Sequence, residues 1–221
     1  MNQTQCIAAE AAVLDNFCNI DRVLHIIFGT IILIMLIKLA CSYKTKSLNL
    51  HANFIILITN IFILYAIFVL SHIGSAILNF TILFTYSDPC DCLIQVWVAY
   101  LILIPSYIYN AGSPLFHFAI VIERILATIF VKIYEKQGKH FAAIITVIMW
   151  TLTFLFGFYV YLSSSMDIET FSRPMAYLSL TSIYNYQVLT YLPLVIIFLV
   201  LCIATADYRL MRCNQKIKSV L

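Results

Sequence analysis

The chain has 221 residues, of which 63% are hydrophobic and only 10% are charged, and its formal net charge is +3. Its mean hydropathy is +0.97. A composition this apolar lies far outside the range of soluble globular proteins, so it excludes a water-soluble domain built around a packed core. The sequence therefore predicts an all-α membrane protein.

Five apolar stretches are long enough to cross a bilayer. A helix needs roughly 20 apolar residues to cross a hydrocarbon core about 30 Å thick. Lipid also requires backbone groups to be satisfied within each segment, which favours helices over isolated strands. The predicted spans are about 23–41, 54–77, 96–122, 141–162 and 188–206. The segments between them are too short for a soluble domain, so residues 1–221 are expected to form a single membrane domain.

Positive charge lies mainly on one side of the predicted membrane. The 42–53 loop, the 123–140 loop, the tail after Asp207 and Lys38 hold eleven of the 13 lysine and arginine residues, leaving Arg22 and Arg173 on the other side. Cytoplasmic segments carry the excess of such residues. The sequence therefore predicts an N-terminus outside and a C-terminus inside.

The segments predicted to lie outside contain two acceptor sequences for N-glycosylation, at Asn2 and Asn79. Four of the seven cysteines also lie there, in an oxidising compartment where disulfides persist: Cys6, Cys18, Cys90 and Cys92. A bridge between Cys90 and Cys92 would be strained, which favours bonds from the N-terminal segment to the top of the third span. The sequence leaves the exact pairing open.

Few polar residues interrupt the spans. His72, Asn110 and His117, together with the aromatic residues of the fifth span, are candidates for lining an outward-facing ligand cavity. Hydrogen bonds between helices are the alternative for the three polar residues. No zinc motif, phosphate loop or nucleophile elbow is present, so we predict no enzyme activity, no metal and no cofactor. No span carries an acidic coupling residue, which disfavours a small transporter.

The third span ends in a charged pair that is followed by a longer pattern. Its residues are Glu123, Arg124, Ala127, Thr128, Tyr134 and Glu135. An arginine at this border can reach the lipid headgroups or turn inward to a carboxylate. A charged side chain with two alternative positions of this kind can act as a switch. The alternative is an ordinary interfacial arginine that obeys the charge rule.

The pattern Glu-Arg-x-x-Ala-Thr-x5-Tyr-Glu resembles the signature of nematode serpentine chemoreceptors of the Sra superfamily, closest to the Srab and Sra branches. Cys6–Glu10 and Asp88–Cys92 resemble the same families. The resemblance implies a G-protein-coupled chemoreceptor in the plasma membrane of sensory neurons, in cilia or dendrites. It implies a small-molecule ligand, a heterotrimeric G protein and membrane lipids as partners, and no nucleic acid. By the same resemblance Glu123 and Arg124 match the acidic-arginine switch of other serpentine receptors. The rest of the signature would lie on the intracellular surface that faces the G protein.

The family pattern has seven spans, and the five predicted here resemble the first five. The sequence therefore predicts a receptor truncated after the fifth span. The alternative is a non-signalling membrane subunit that associates with another receptor chain and modulates it. Acceleration of guanine-nucleotide exchange by a ligand would separate the two hypotheses.

Overall fold

The computed structural model describes residues 3–45, 52–129 and 140–220, and this part of the chain is almost entirely helical. The helices are α1 (Gln3–Leu14), α2 (Asn16–Thr45), α3 (Ala52–Thr85), a 3-10 helix (Pro89–Cys92), α4 (Val96–Ile129), α5 (His140–Ser165), α6 (Ile168–Phe171) and α7 (Tyr186–Val220). Within these ranges the only β-type pairing is an isolated bridge between Ile94 and Met175.

Five of these helices are long and apolar enough to cross a membrane, counted over the described residues. They are α2, α3, α4, α5 and α7, and we refer to them as the first to fifth spans. Each contains one of the predicted spans and extends beyond it at one or both ends. The extensions carry polar and aromatic residues, which hydropathy excludes from a span although they continue the helix into the interfacial region.

The second, third and fourth spans form the centre of the bundle. Their largest buried cluster includes Leu57, Leu64, Phe116 and Ala119. Gly112 permits the close approach, because a Cβ at this position would lie 3.0 Å from side-chain atoms of both the second and the fourth span. The first span packs against the second, and the fifth packs against the third.

Hydrogen bonds from side chains of one span to groups of another hold the register of the central helices. Trp150 of the fourth span donates its indole N–H to Oδ1 of Asn60, at 2.7 Å. Ser71 of the second span donates to the carbonyl of Ile102, and its hydroxyl lies 2.7 Å from that of Ser106. The two Ser71 contacts lie next to Pro105, where the third span lacks a backbone donor.

The N-terminal segment forms a helix over the outer end of the bundle. Cys6 of α1 is bonded to Cys90 of the 3-10 helix by a disulfide. Ala9 and Val13 pack beside the buried Cys92. The segment between the fourth and fifth spans lies in the same layer, since Ile94 and Met175 exchange backbone hydrogen bonds of 2.9 and 2.8 Å.

A buried amide anchors that segment to the end of the fourth span. Asn185 is completely buried. Its Nδ2 donates to the hydroxyls of Ser163 and Ser164 and to the carbonyl of Leu180, at 3.0–3.1 Å. Its Oδ1 accepts the backbone N–H of Ser182 at 2.8 Å. The amide therefore uses both of its polar atoms, as a buried side chain must.

Candidate cytoplasmic switch and ligand cavity

The Glu123–Arg124 pair lies at the cytoplasmic end of the third span, and its two side chains have different surroundings. Glu123 is buried, with 3% of its surface exposed. The side chain of Arg124 is 45% exposed. Adjacent helix positions are about 100° apart, so one residue points into the bundle while the other reaches its edge.

Arg124 joins three spans. Its guanidinium forms an ion pair with Asp207 of the fifth span, with 3.4 Å between Nη1 and Oδ1. The same guanidinium lies over the ring of Phe54 at the start of the second span, 5.2 Å from its centroid. Because both charges are partly exposed, the ion pair is worth at most about 1 kcal/mol. An interaction this weak can be broken when the two helices move apart.

The remaining signature residues fall partly inside the described chain. Ala127 and Thr128 lie on the last turn of the third span, where both are half-buried. The hydroxyl of Thr128 donates to the carbonyl of Arg124 at 2.8 Å. It therefore satisfies a backbone acceptor one turn back along the helix. Tyr134 and Glu135 lie outside the described residues.

A cavity of about 300 Å³ lies between the second, third and fifth spans. We call it the central cavity, and its lining is formed by Tyr65, Tyr109, Asn110, Ser113, Pro114, His117, Ile196, Val200 and Ile203. These residues lie near the middle of their helices. Two of the predicted ligand contacts, Asn110 and His117, therefore share one cavity. The fifth span contributes only aliphatic side chains to it, whereas its aromatic residues were expected to line the site.

His117 is held in one orientation within the central cavity. Its Nδ1 lies 2.7 Å from the carbonyl oxygen of Ser113. A carbonyl can only accept a hydrogen bond, so Nδ1 carries the proton. In the neutral ring Nε2 is then an acceptor, and it is the polar atom of the ring that remains for a ligand.

His72 lies elsewhere, in a second cavity between the first and second spans. This side cavity of about 290 Å³ is lined by Asp21, Leu24, His25, Phe28, Gly29, Ile32, Phe68, Val69 and His72. The rings of His72 and His25 are 4.7 Å apart, centroid to centroid. Nδ1 of His25 lies 3.3 Å from Oδ2 of Asp21. The sequence prediction grouped His72 with the other two residues and did not identify His25 or Asp21.

Aromatic rings connect the two cavities. Phe68 packs edge-on against His72 at 4.4 Å and stacks on Tyr109 at 4.2 Å. Tyr109 in turn packs against Tyr65 at 5.4 Å. Phe68 lines the side cavity and contacts Tyr109, which lines the central cavity, so its ring connects the walls of the two cavities.

The comparison with known families decides what kind of protein this bundle belongs to. A family model described as serpentine type 7TM GPCR receptor class ab chemoreceptor matches residues 3–221, which is nearly the whole chain. The chain belongs to this family of serpentine chemoreceptors. No curated protein and no solved structure matches it.

Family membership confirms the predicted class of protein. The chain is an all-α, multi-pass membrane protein of a chemoreceptor family. In general, membership in such a G-protein-coupled receptor family implies a G protein and a small molecule as partners. The family description names seven transmembrane segments, and five are found among the residues described here.

The outer rim of this chemoreceptor bundle is fixed by the Cys6–Cys90 disulfide. The other two outer cysteines are thiols. Burial raises the pKa of the Cys92 thiol, which disfavours its reactive thiolate form. Cys18 donates its thiol hydrogen to Asp15, and this bond, together with the backbone N–H of Phe17, lowers the pKa of the Asp15 carboxyl.

Of the two predicted glycosylation sites, the structure describes only Asn79. Asn79 is buried, with 5% of its surface exposed, and its Nδ2 donates to Oδ1 of Asn19 at 3.1 Å. Nδ2 is the atom that would carry the glycan, so a glycan at Asn79 is incompatible with this packing. Asn2 lies outside the described residues.

The carboxylates beside the outer cysteines have a local structural role. Asp88 caps the 3-10 helix by accepting the backbone N–H of Cys90 at 2.8 Å. Asp91 accepts the backbone N–H groups of Ser87 and Asp88 at 3.1 and 3.0 Å. Over the described ranges, no group of three or more histidine, cysteine or acidic side chains is placed to hold a metal.

Proposed function

We propose that this chain acts as a chemosensory G-protein-coupled receptor in the plasma membrane of sensory neurons. A small molecule in the central cavity would change the contact between the third and fifth spans and so bias the Arg124–Asp207 ion pair. The cytoplasmic ends of these spans, with Arg124, Ala127 and Thr128, would then meet a heterotrimeric G protein.

The observation that carries this proposal is that the cavity and the ion pair lie on the same faces of the same two helices. Arg124 follows His117 by seven positions, which is a rotation of about 700° and a rise of about 10 Å. Asp207 follows Ile203 by four positions, a rotation of about 400° and a rise of about 6 Å. Each charged residue is therefore nearly aligned with a cavity residue one or two turns away.

A weak ion pair suits a switch better than a strong one. The Arg124–Asp207 pair is partly exposed, so solvent can replace either partner when the helices separate. Arg124 would then be free to contact a G protein or lipid headgroups. Glu123 stays in the bundle interior in this arrangement, so Arg124 is the residue of the Glu123–Arg124 pair that moves.

The test is nucleotide exchange by purified heterotrimeric G proteins, followed with a fluorescent GTP analogue. The receptor would be embedded in lipid nanodiscs and challenged with a panel of small alcohols, ketones, acids and amines. At least one compound should accelerate exchange. Arg124→Ala should remove the acceleration while surface delivery in cells is retained, and Arg173→Ala on the outer side is the matched control.

Two results would contradict the proposal. If no compound accelerates exchange although the protein is folded and binds one of them, the hypothesis of a non-signalling membrane subunit is favoured. If Arg124→Ala reduces surface delivery as much as it reduces exchange, Arg124 has only a structural role.

A further inference from the structure

The central cavity offers a ligand one oriented hydrogen-bond acceptor. The bond between His117 Nδ1 and the Ser113 carbonyl assigns the proton of the neutral ring to Nδ1. In that neutral ring Nε2 has a lone pair and no proton. Among the described residues, none donates a hydrogen bond to this nitrogen. A ligand that covers this nitrogen must therefore supply a donor, or leave the acceptor unpaired at a cost.

The lining of the cavity selects against charged ligands. None of its nine described residues is an aspartate, glutamate, lysine or arginine. An ammonium or carboxylate group buried there would lose its hydration without meeting a side chain of fixed opposite charge, which is unfavourable. Charged side chains lie outside this lining: Arg124 and Asp207 pair at the cytoplasmic end, and Asp21 lines the side cavity.

The opposite wall selects for an apolar body. The fifth span contributes the aliphatic side chains of Ile196, Val200 and Ile203. The second and third spans contribute the rings of Tyr65 and Tyr109. A volume of about 300 Å³ is at the lower end of the range for small-molecule sites. The ligand is therefore small, with its donor at one end.

We infer that the central cavity binds a small neutral molecule with an apolar body and a hydroxyl group, an aliphatic alcohol or a phenol, whose O–H donates to Nε2 of His117. This inference rests on the proposed function, since it assigns a ligand class to the cavity proposed there. His117 is thus a specificity-determining residue: it distinguishes a donor from an isomer that can only accept.

The experiment uses the full chain in lipid nanodiscs, labelled with ¹⁵N-histidine, without any G protein. The probes are 1-hexanol, its isomer dipropyl ether, hexylamine and hexanoate, and empty nanodiscs correct for partition into lipid. The ¹⁵N signal of His117 Nε2 should move to lower frequency on titration with 1-hexanol, as expected for an accepted hydrogen bond. The ether should bind about two- to tenfold more weakly, since it lacks the donor. The two charged probes should bind at least about tenfold more weakly.

Two variants test whether His117 carries the preference. His117→Phe should bind the alcohol and the ether with equal affinity, whereas His140→Phe, at the exposed start of the fourth span, should keep the preference for the alcohol. If His117→Phe fails to fold, the ¹⁵N titration of the wild-type protein still decides the question. Equal binding of alcohol and ether by the wild type, tighter binding of a charged probe, or no saturable binding of any probe would overturn the inference. Binding of 1-hexanol without acceleration of nucleotide exchange would refute the proposed function and leave this ligand class standing.

Discussion

Replacing Asp207 with asparagine is expected to raise basal nucleotide exchange. The substitution keeps the size of the side chain and removes the charge that pairs with Arg124 at 3.4 Å. Because the two side chains are 45% and 33% exposed, the pair is worth about 0.2–1 kcal/mol. If the pair is formed only in the inactive arrangement, losing it shifts the equilibrium toward the active one by about 1.4- to 5-fold.

The measurement is ligand-free exchange at low and high ionic strength, with the receptor in nanodiscs. The excess of Asp207→Asn over wild type should shrink at high salt, because salt screens a partly exposed pair. Asp207→Glu should behave like the wild type, and Glu169→Gln on the outer side controls for loss of an acidic group. An unchanged or lower basal rate in Asp207→Asn would show that the pair does not restrain the inactive arrangement.

Three further predictions concern the stability of the bundle and its outer layer. Gly112→Ala should lower the free energy of unfolding by about 1–3 kcal/mol, because its Cβ would lie 3.0 Å from two neighbouring spans. Gly74→Ala, with open space around it, should be neutral or stabilising by up to about 1 kcal/mol in the same thermal unfolding assay in detergent. Asn185→Ala should cost at least about 1–3 kcal/mol in that assay, because it strands buried polar groups, and wild-type stability would refute the assigned role. Cys6→Ala should speed cleavage of α1 by a glutamate-specific protease, because it releases the helix from the 3-10 turn, whereas Cys18→Ala should leave the rate unchanged.

Hydropathy and charge were sufficient to predict the class of the fold. The apolar stretches are long, and the cost of leaving backbone groups unpaired in lipid leaves helices as the solution. The N-terminal helix α1 was not predicted, because hydropathy identifies only helices long and apolar enough to cross a bilayer, and α1 has 12 residues. Its run Ala8–Ala12 consists of strong helix formers and was an available local signal.

The sequence located Arg124 but not its partner, which lies 83 positions away. One signal was available: of the ten acidic residues, only Glu123, Glu135 and Asp207 fall on the predicted cytoplasmic side. Asp207 is the one that another span carries, so a search for a carboxylate across the bundle would have reached it. For His72 no comparable signal exists, because its side chain could face either neighbour of the second span.

The strength of the Arg124–Asp207 ion pair sets how strongly a ligand must prefer the active arrangement. A pair worth at most about 1 kcal/mol is offset by a ligand that prefers the active arrangement by about fivefold. A single hydrogen bond that forms in one arrangement and not in the other supplies this difference. The bond proposed at His117 lies two turns from Arg124 on the same face of the third span, so a small shift of that helix against the fifth span changes both contacts. The weakness of the Arg124–Asp207 pair is therefore what would allow a small neutral ligand, with a single polar contact, to operate the switch.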